Sequence, residues 1–408
     1  MPRIIFSQIN GPVVLAPADN PLIITGTGTV TSTGSADGID GGIGTTWTIT
    51  NAGAVNASGG YGVSLAGAGV IGNTGAISGN DAIVLRAGGN VTNSAGGTIS
   101  GLGALGQGLG SGAGVYIAGA TGTVTNNGSI SGGGYGVAFA AGGMVTNTSS
   151  IVGGADGVIV RNAAGTVKNS GKIIANDGVA LFGGGTLTNA SGASISGLGT
   201  VGAGVFITGA SGTVSNAGNI AGANHIGVLI SAGGSLTNLR TGFISGGEEG
   251  VFFEKTAGTL TNSGTITATA TNGAGVYLEN NGRVTNTSTG LITGRKFGAF
   301  IEGGAGTLAN YGSISGATYD GVILGLGGAV TNAAGASILG GSNGVYIKYR
   351  AAGTVTNSGT ISGTGGAGVD LSDGGSVTNN LAASIAGSQF GVFISKAPGG
   401  PTRRSIDA

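Results

Sequence analysis

Few residues in this chain could do chemistry, and they are scattered. Its 408 residues include one histidine, His225, and no cysteine. A histidine-based metal triad, a Ser-His-Asp relay, thiol chemistry and disulfides therefore lack their material. The acids are more suggestive. Asp156 and Asp177 occupy the same corner of two successive repeats. If those repeats stack, the two lie one strand spacing of ~5 Å apart, a separation at which retaining glycosidases hold their acid and nucleophile. No Lys, Arg or His stands beside them in the matching repeat positions, so solvated corner acids are the plainer reading. His225, for the same want of partners, reads as a solvated or hydrogen-bonded corner residue rather than a base. Gly101-Leu102-Gly103-Ala104-Leu105-Gly106 spells a dinucleotide fingerprint, but in a chain with 95 glycines it means nothing without a following helix. Residues 365–370, Gly-Gly-Ala-Gly-Val-Asp, match one calcium nonapeptide that the next nine residues fail to repeat. The expectation is no catalytic set, no metal and no cofactor.

What positions these residues is a repeat. Residues 258–279, GTLTNSGTITATATNGAGVYLE, carry three short pulses in which apolar and polar residues alternate. Each pulse has the period of a half-buried strand. Such a unit buries its apolar face only by stacking on copies of itself. The copies are counted by asparagine: Asn51, Asn73, Asn93, Asn126, Asn147, Asn169, Asn189, Asn216, Asn238, Asn262, Asn286, Asn310, Asn332, Asn357 and Asn379, with a mean spacing near 23 residues. Val, Leu or Ile always stands two residues earlier, so alternation turns both inward. The stacked amides are expected to form a ladder in which each donates to the next. An apolar residue of the second strand follows the Asn by four or six residues. From Asn216 onward the two offsets alternate strictly, which makes a pair of coils, 46 to 48 residues, the larger unit. A third strand follows the pattern G-V-x-[I/L/V/F]. The longest linker, Leu102–Ala113, is the expected protruding loop.

The expected fold is all-β: a single-stranded parallel β-helix with three short strands per coil, about fifteen coils, right-handed, and roughly 70 Å long at the usual strand spacing. Residues 1–44 read as an N-terminal cap with a degenerate first coil, 45–396 as the repeats, and 397–408 as a flexible tail. Trp47, the only tryptophan, reads as core packing near the cap.

Composition narrows the function classes. Fifteen basic and fifteen acidic residues cancel, and no run of Lys or Arg exceeds two, so nucleic acid and anionic membranes have no electrostatic footprint. Apolar residues at 40 % with charged residues at 7 % argue against disorder. No stretch is long and apolar enough for a membrane-spanning helix, and no signal peptide is visible at the N-terminus.

The outward position of the third strand stands out. It carries Tyr116, Phe206, Phe252, Tyr277, Phe300, Tyr346 and Phe393, where a solvated sheet would carry Thr, Ser or Lys. Two residues further on, Glu254, Glu279 and Glu302 form an acidic column. An apolar stripe of this kind marks a contact surface, unless a terminal segment or the long loop folds over it. Rings flanked by carboxylates suit a sugar chain or a second copy. A separate set of T-x-T pairs, Thr123/Thr125, Thr186/Thr188, Thr259/Thr261 and Thr354/Thr356, resembles an ice-binding array. Met144, Arg283 and Ala329 interrupt it, and Thr is an ordinary exposed strand residue.

The copies GTVTNSGTISG at 353–363 and GVYI at 344–347 resemble the passenger repeats of bacterial autotransporters and related β-helical surface adhesins, over about residues 45–396. The resemblance implies a non-catalytic rod, extracellular or on the bacterial cell surface. Such a rod mediates adhesion, aggregation or biofilm contact with a glycan, a host or neighbouring cell, or itself. The chain departs from that family in lacking a visible export signal and a C-terminal membrane barrel. Two other readings stand beside it: a polysaccharide-active lyase or hydrolase of the β-helix class working through Asp156 and Asp177, and an ice-binding protein.

Overall fold

The alternation in each pulse does set strands, and the strands repeat as parallel coils. The computed structural model describes residues 2–106, 108, 111–348 and 351–395, and the backbone of 404–406. It is a parallel β-solenoid of about 17 turns, with three strands per coil and one 3₁₀ turn at Pro17–Asp19. The chain divides into two units, Met1–Leu198 and Gly199–Ala408. In each, the first, second and third strands of successive coils build three parallel sheets.

Within each unit the pairing is in register. In the first unit Val145 faces Val167 and Asn147 faces Asn169. In the second, Leu260 faces Val284 and Asn262 faces Asn286. A one-residue slip would turn every inward side chain to solvent, so the apolar pattern fixes this register. Inward residues of the coil that first defined the repeat, Leu260, Ile266, Val276 and Leu278, are fully buried.

Asparagine fills the one polar inward column. From Asn51 to Asn73 and on to Asn189, each Nδ2 donates to the next Oδ1 at 2.8–2.9 Å. The second unit repeats this from Asn216 to Asn379 over the same range. The two corner lengths are reconciled by these amides. In a short corner, Asn262 Nδ2 donates to the carbonyl of Gly264; in a long one, Asn238 Nδ2 donates to Gly242. Both carbonyls lie two residues before the inward Ile. The two extra residues of the long corner are taken up in a turn, with Gly242 N–H donating to Leu239 O at 2.8 Å.

Counting by asparagine undercounts the coils. Arg3–Ile5, Gln8–Asn10 and Val13–Leu15 form one coil, and Leu22–Ile24, Thr29–Ser32 and Ile39–Gly41 a second. Residues 1–44 therefore hold two three-stranded coils where a cap and one degenerate coil were expected. Their ladder position is apolar: Ile5 pairs with Ile24, and Ile24 with Asn51. The ladder accordingly begins at Asn51, whose buried Oδ1 has no donor. At the other end, residues 404–406 run antiparallel to Phe390–Ile394. The rest of the expected flexible tail, and residues 107, 109 and 110 of the long linker, lie outside the described residues.

Trp47 is buried, and its indole N–H donates to Gly42 O at 2.7 Å, in keeping with a packing role. The largest inward rings need a missing Cβ. A methyl at Gly258 would lie 2.2 Å from the Phe253 ring, and one at Gly143 would lie 2.5 Å from Phe139. Glycine opens the corner into which each ring fits.

Candidate binding face on the third sheet

The third strand bends before its inward Val, and the bend gives its outer face a second column of side chains. Pairing skips the glycine there: Tyr135 pairs with Asp156 and Val137 with Val158, but Gly136 and Gly157 are left out. The residue three places before the outward stripe therefore joins the same face. Phe297 touches Phe300 with ring centroids 5.6 Å apart, and Phe390 touches Phe393 at 5.2 Å.

In the second unit the stripe is one unbroken register: Phe206, Leu229, Phe252, Tyr277, Phe300, Ile323, Tyr346, Asp370 and Phe393 pair in succession. Nine of the ten candidate binding residues lie here, with Glu254, Glu279 and Glu302 on the flank. Tyr116 belongs to the first unit, between the buried Val84 and Ala138. The aromatic stripe residues are half-buried rather than freely exposed. Their own stacking accounts for this at the centre. Phe252 and Tyr277 lie 4.9 Å apart and parallel within 1°, and Tyr277 and Phe300 lie 5.0 Å apart at 17°. Ring faces are thus turned to one another, and ring edges face outward.

Charged groups hold the stack. Tyr277 Oη donates to Glu302 Oε2 at 2.7 Å. Burial, then the bond and charge of Glu302, push the Tyr277 hydroxyl well above the ordinary tyrosine value. Ser231 Oγ donates to Glu254 at 2.6 Å, and the Lys255 backbone N–H donates to Glu279 at 2.9 Å. Lys348 Nζ sits 4.9 Å from the Phe300 ring centre, a cation–π contact at the upper end of the stack. Beside it stands a cluster that a single-column reading of the sequence missed. Phe297 and Tyr319 meet edge-on at 5.8 Å, and Lys296 lies over both rings. Tyr319 is 52 % exposed. The glycine before each inward Val is the sequence signal that would have found Phe297. Nearby, burial and then Glu248 push Glu249 up to about 7. Burial and then Asp320 raise Asp370 to about 6.

In the first unit the same corner column carries Tyr135, Asp156 and Asp177, and Asp156 pairs directly with Asp177. Asp156 is only 9 % exposed. Burial first, and then the Asp177 charge, push its carboxyl up to about 7, against the pull of Arg161. Arg161 is a correction to the sequence reading, which found no cation beside the pair. It stands two residues past the stripe position, its guanidinium 5.1 Å from the Phe182 ring centre, and acts electrostatically on both Asp156 and Tyr135. Other acids of this column do structural work. Asp81 accepts the Ala113 N–H at 2.9 Å, and Asp320 accepts the Asn343 N–H at 2.9 Å.

The remaining motifs resolve simply. His225 Nε2 lies 3.1 Å from Glu248 Oε2. Among the described residues, the regular element that follows residues 101–106 is the strand Val115–Ile117, not a helix. Asp370 of the calcium-like hexapeptide stands on the stripe between Tyr346 and Phe393. The Thr columns are in register, with Met144 beside Thr123 and Arg283 beside Thr259 as interruptions. No family model, no curated protein and no solved structure matches the chain. Among the described residues no helix is long and apolar enough to cross a membrane, and no three acidic or His side chains cluster to hold a metal ion.

Proposed function

We propose that the chain is a non-catalytic β-solenoid that works by binding, through the outer face of the third sheet in its second unit, as an adhesion or aggregation module outside the cell or on a bacterial surface. The observation that carries this is the in-register stripe with the parallel Phe252–Tyr277–Phe300 stack at its centre and carboxylates on its flank. A row of half-buried aromatic side chains on an outer sheet face suits a partner that covers it. The partner chemistry that fits is a hydroxyl-rich chain such as a glycan. Outward ring edges and the exposed Tyr319 give it apolar contact, while Glu254, Glu279 and Glu302 offer acceptors at the ~4.8 Å strand repeat. We also take the coil to be right-handed, the hand that parallel strand–crossover–strand connections adopt. The test is to present the whole chain to a panel of polysaccharides and to bacterial and host cells, and to follow its own association by light scattering. The reading fails if the chain binds none of these and stays monomeric.

A second reading is favoured by one observation: a buried carboxyl poised near 7 beside a second acid, with Arg161 and Tyr135 at hand. A protonated Asp156 with Asp177 is the pairing a glycoside hydrolase needs. Release of reducing ends from a polysaccharide panel, lost in both Asp156→Asn and Asp177→Asn, would establish it.

A further inference from the structure

The chain contains five Asn-Gly dipeptides, at Asn10, Asn127, Asn272, Asn281 and Asn343. Asn-Gly is the sequence in which a backbone nitrogen meets least steric resistance to attacking the preceding side-chain amide, because glycine has no Cβ. A fold suppresses that attack by holding the glycine N–H in a hydrogen bond to a residue other than that asparagine, or by locking the amide. Four of the five are so held. Gly11 N–H donates to Thr31 O, Gly273 N–H to Ala270 O, and Gly344 N–H to Ala367 O. Gly128 N–H donates to Asn126 Oδ1. Three of the side chains are also fixed. Asn10 accepts from Gln8, Asn127 accepts from Thr148, and Asn343 both donates to Asp320 and accepts from Ala367.

Asn281 is different. It takes the corner seat that glycine fills in other coils, with φ +58° beside values of +72° at Gly233 and +70° at Gly327. Its backbone N–H is used, donating to Glu302 O at 2.7 Å. The N–H of Gly282, however, points at Asn281's own Oδ1, 2.5 Å away. The electrophilic Cγ is bonded to that oxygen at ~1.2 Å, so nucleophile and carbon are already neighbours in an exposed corner.

We propose that Asn281 is a site of spontaneous deamidation in the folded protein. Hydroxide removes the Gly282 amide proton, and the nitrogen's electron pair forms a bond to Asn281 Cγ. The Cγ–Nδ2 bond breaks and ammonia leaves, closing a five-membered succinimide. Water then opens the ring at either carbonyl, giving aspartate or isoaspartate. Atoms balance as asparagine plus water to aspartate plus ammonia, with no redox change. The product places a new carboxylate two residues past Glu279, on a backbone bonded to Glu302. Aspartate retains the left-handed seat, whereas isoaspartate adds a backbone methylene just before the strand Gly282–Asn286.

The test is peptide mapping of the full chain held at pH 8 and 37 °C in ¹⁸O-water, natively and in denaturant. In denaturant all five sites react alike. In the native chain Asn281 keeps its unfolded rate within about threefold and takes up ¹⁸O, while the other four slow by about tenfold or more. Asn272, exposed like Asn281 but outside the left-handed region and with the N–H of Gly273 tied to Ala270 O, is the internal control. Equal native rates at Asn272 and Asn281, or suppression of Asn281 along with the rest, would overturn the proposal.

Discussion

Tyr277 donates its hydroxyl to Glu302 of the next coil while its ring lies flat against Phe252 of the coil before. One side chain thus ties three coils together on their outer face. The phenol is a poor acid here, because burial and three nearby glutamates oppose its ionisation. Tyr277→Phe keeps the stack and loses the bond. It should cost about 1 kcal/mol or less at this half-buried position, read as a small fall in urea midpoint. It should also free Glu302 to move, visible as lost rigidity at its carboxylate by NMR.

The amide ladder should be costly to break inside and cheap to break at its end. Asn262→Ala leaves the fully buried Asn286 Oδ1 without its donor, while Asn238 Nδ2 keeps its bonds to Gly242 O and Thr265 O. The expected loss is about 1–3 kcal/mol for the one stranded oxygen. Asn379 is exposed, so Asn379→Ala should change stability by about 0.5 kcal/mol or less. Denaturation midpoints of the two variants decide this, and equal losses would mean the ladder does not stabilise the coils.

Much of this architecture was legible because it repeats. The inward Val, Ile and Leu columns and the asparagines follow from alternation alone, and the in-register pairing from Asn51 to Asn189 and from Asn216 to Asn379 bears them out. Of the two coils before residue 44 only one was expected, as a degenerate coil, because Ile5 and Ile24 replace the asparagine by which coils were counted. The second column of the outer face was hidden by the bend at the glycine before each inward Val. A strict alternation turns Phe297 and Glu249 inward, whereas the bend turns them out. Arg161 was missed because a long side chain reaches an acid five residues back, a relation that spacing in a strand does not express.

Corner glycines and core rings should be coupled. Gly258→Ala drives a methyl into the Phe253 ring and should cost about 1–3 kcal/mol. Adding Phe253→Leu removes the clash, so the double variant should lose less than the sum of the singles. A thermal-denaturation double-mutant cycle reads the coupling, and strict additivity would contradict it.

Stability should fall as pH rises toward neutrality. Asp156 and Glu249 ionise near 7 in the fold, well above the ordinary carboxylate range. Between about pH 4 and pH 7 the folded chain therefore holds more protons than the unfolded chain, so its stability decreases with rising pH across that window. Asp156→Asn should remove part of the slope and Glu249→Gln another part, in urea titrations at pH 5 and pH 8. A parent chain more stable at pH 8 than at pH 5, with variants unchanged in slope, would contradict the burial of these acids.

Binding through the aromatic stripe is the central claim, and one equilibrium titration tests it most directly. The triple variant Phe252→Ser, Tyr277→Ser, Phe300→Ser is compared with Thr213→Ser, Thr259→Ser, Thr307→Ser on the first sheet, each against the glycan, cell or self-association partner of the parent chain. With folding checked by circular dichroism, the stripe variant should bind at least tenfold more weakly while the first-sheet variant binds as the parent does. Unchanged affinity in the folded stripe variant would contradict the account.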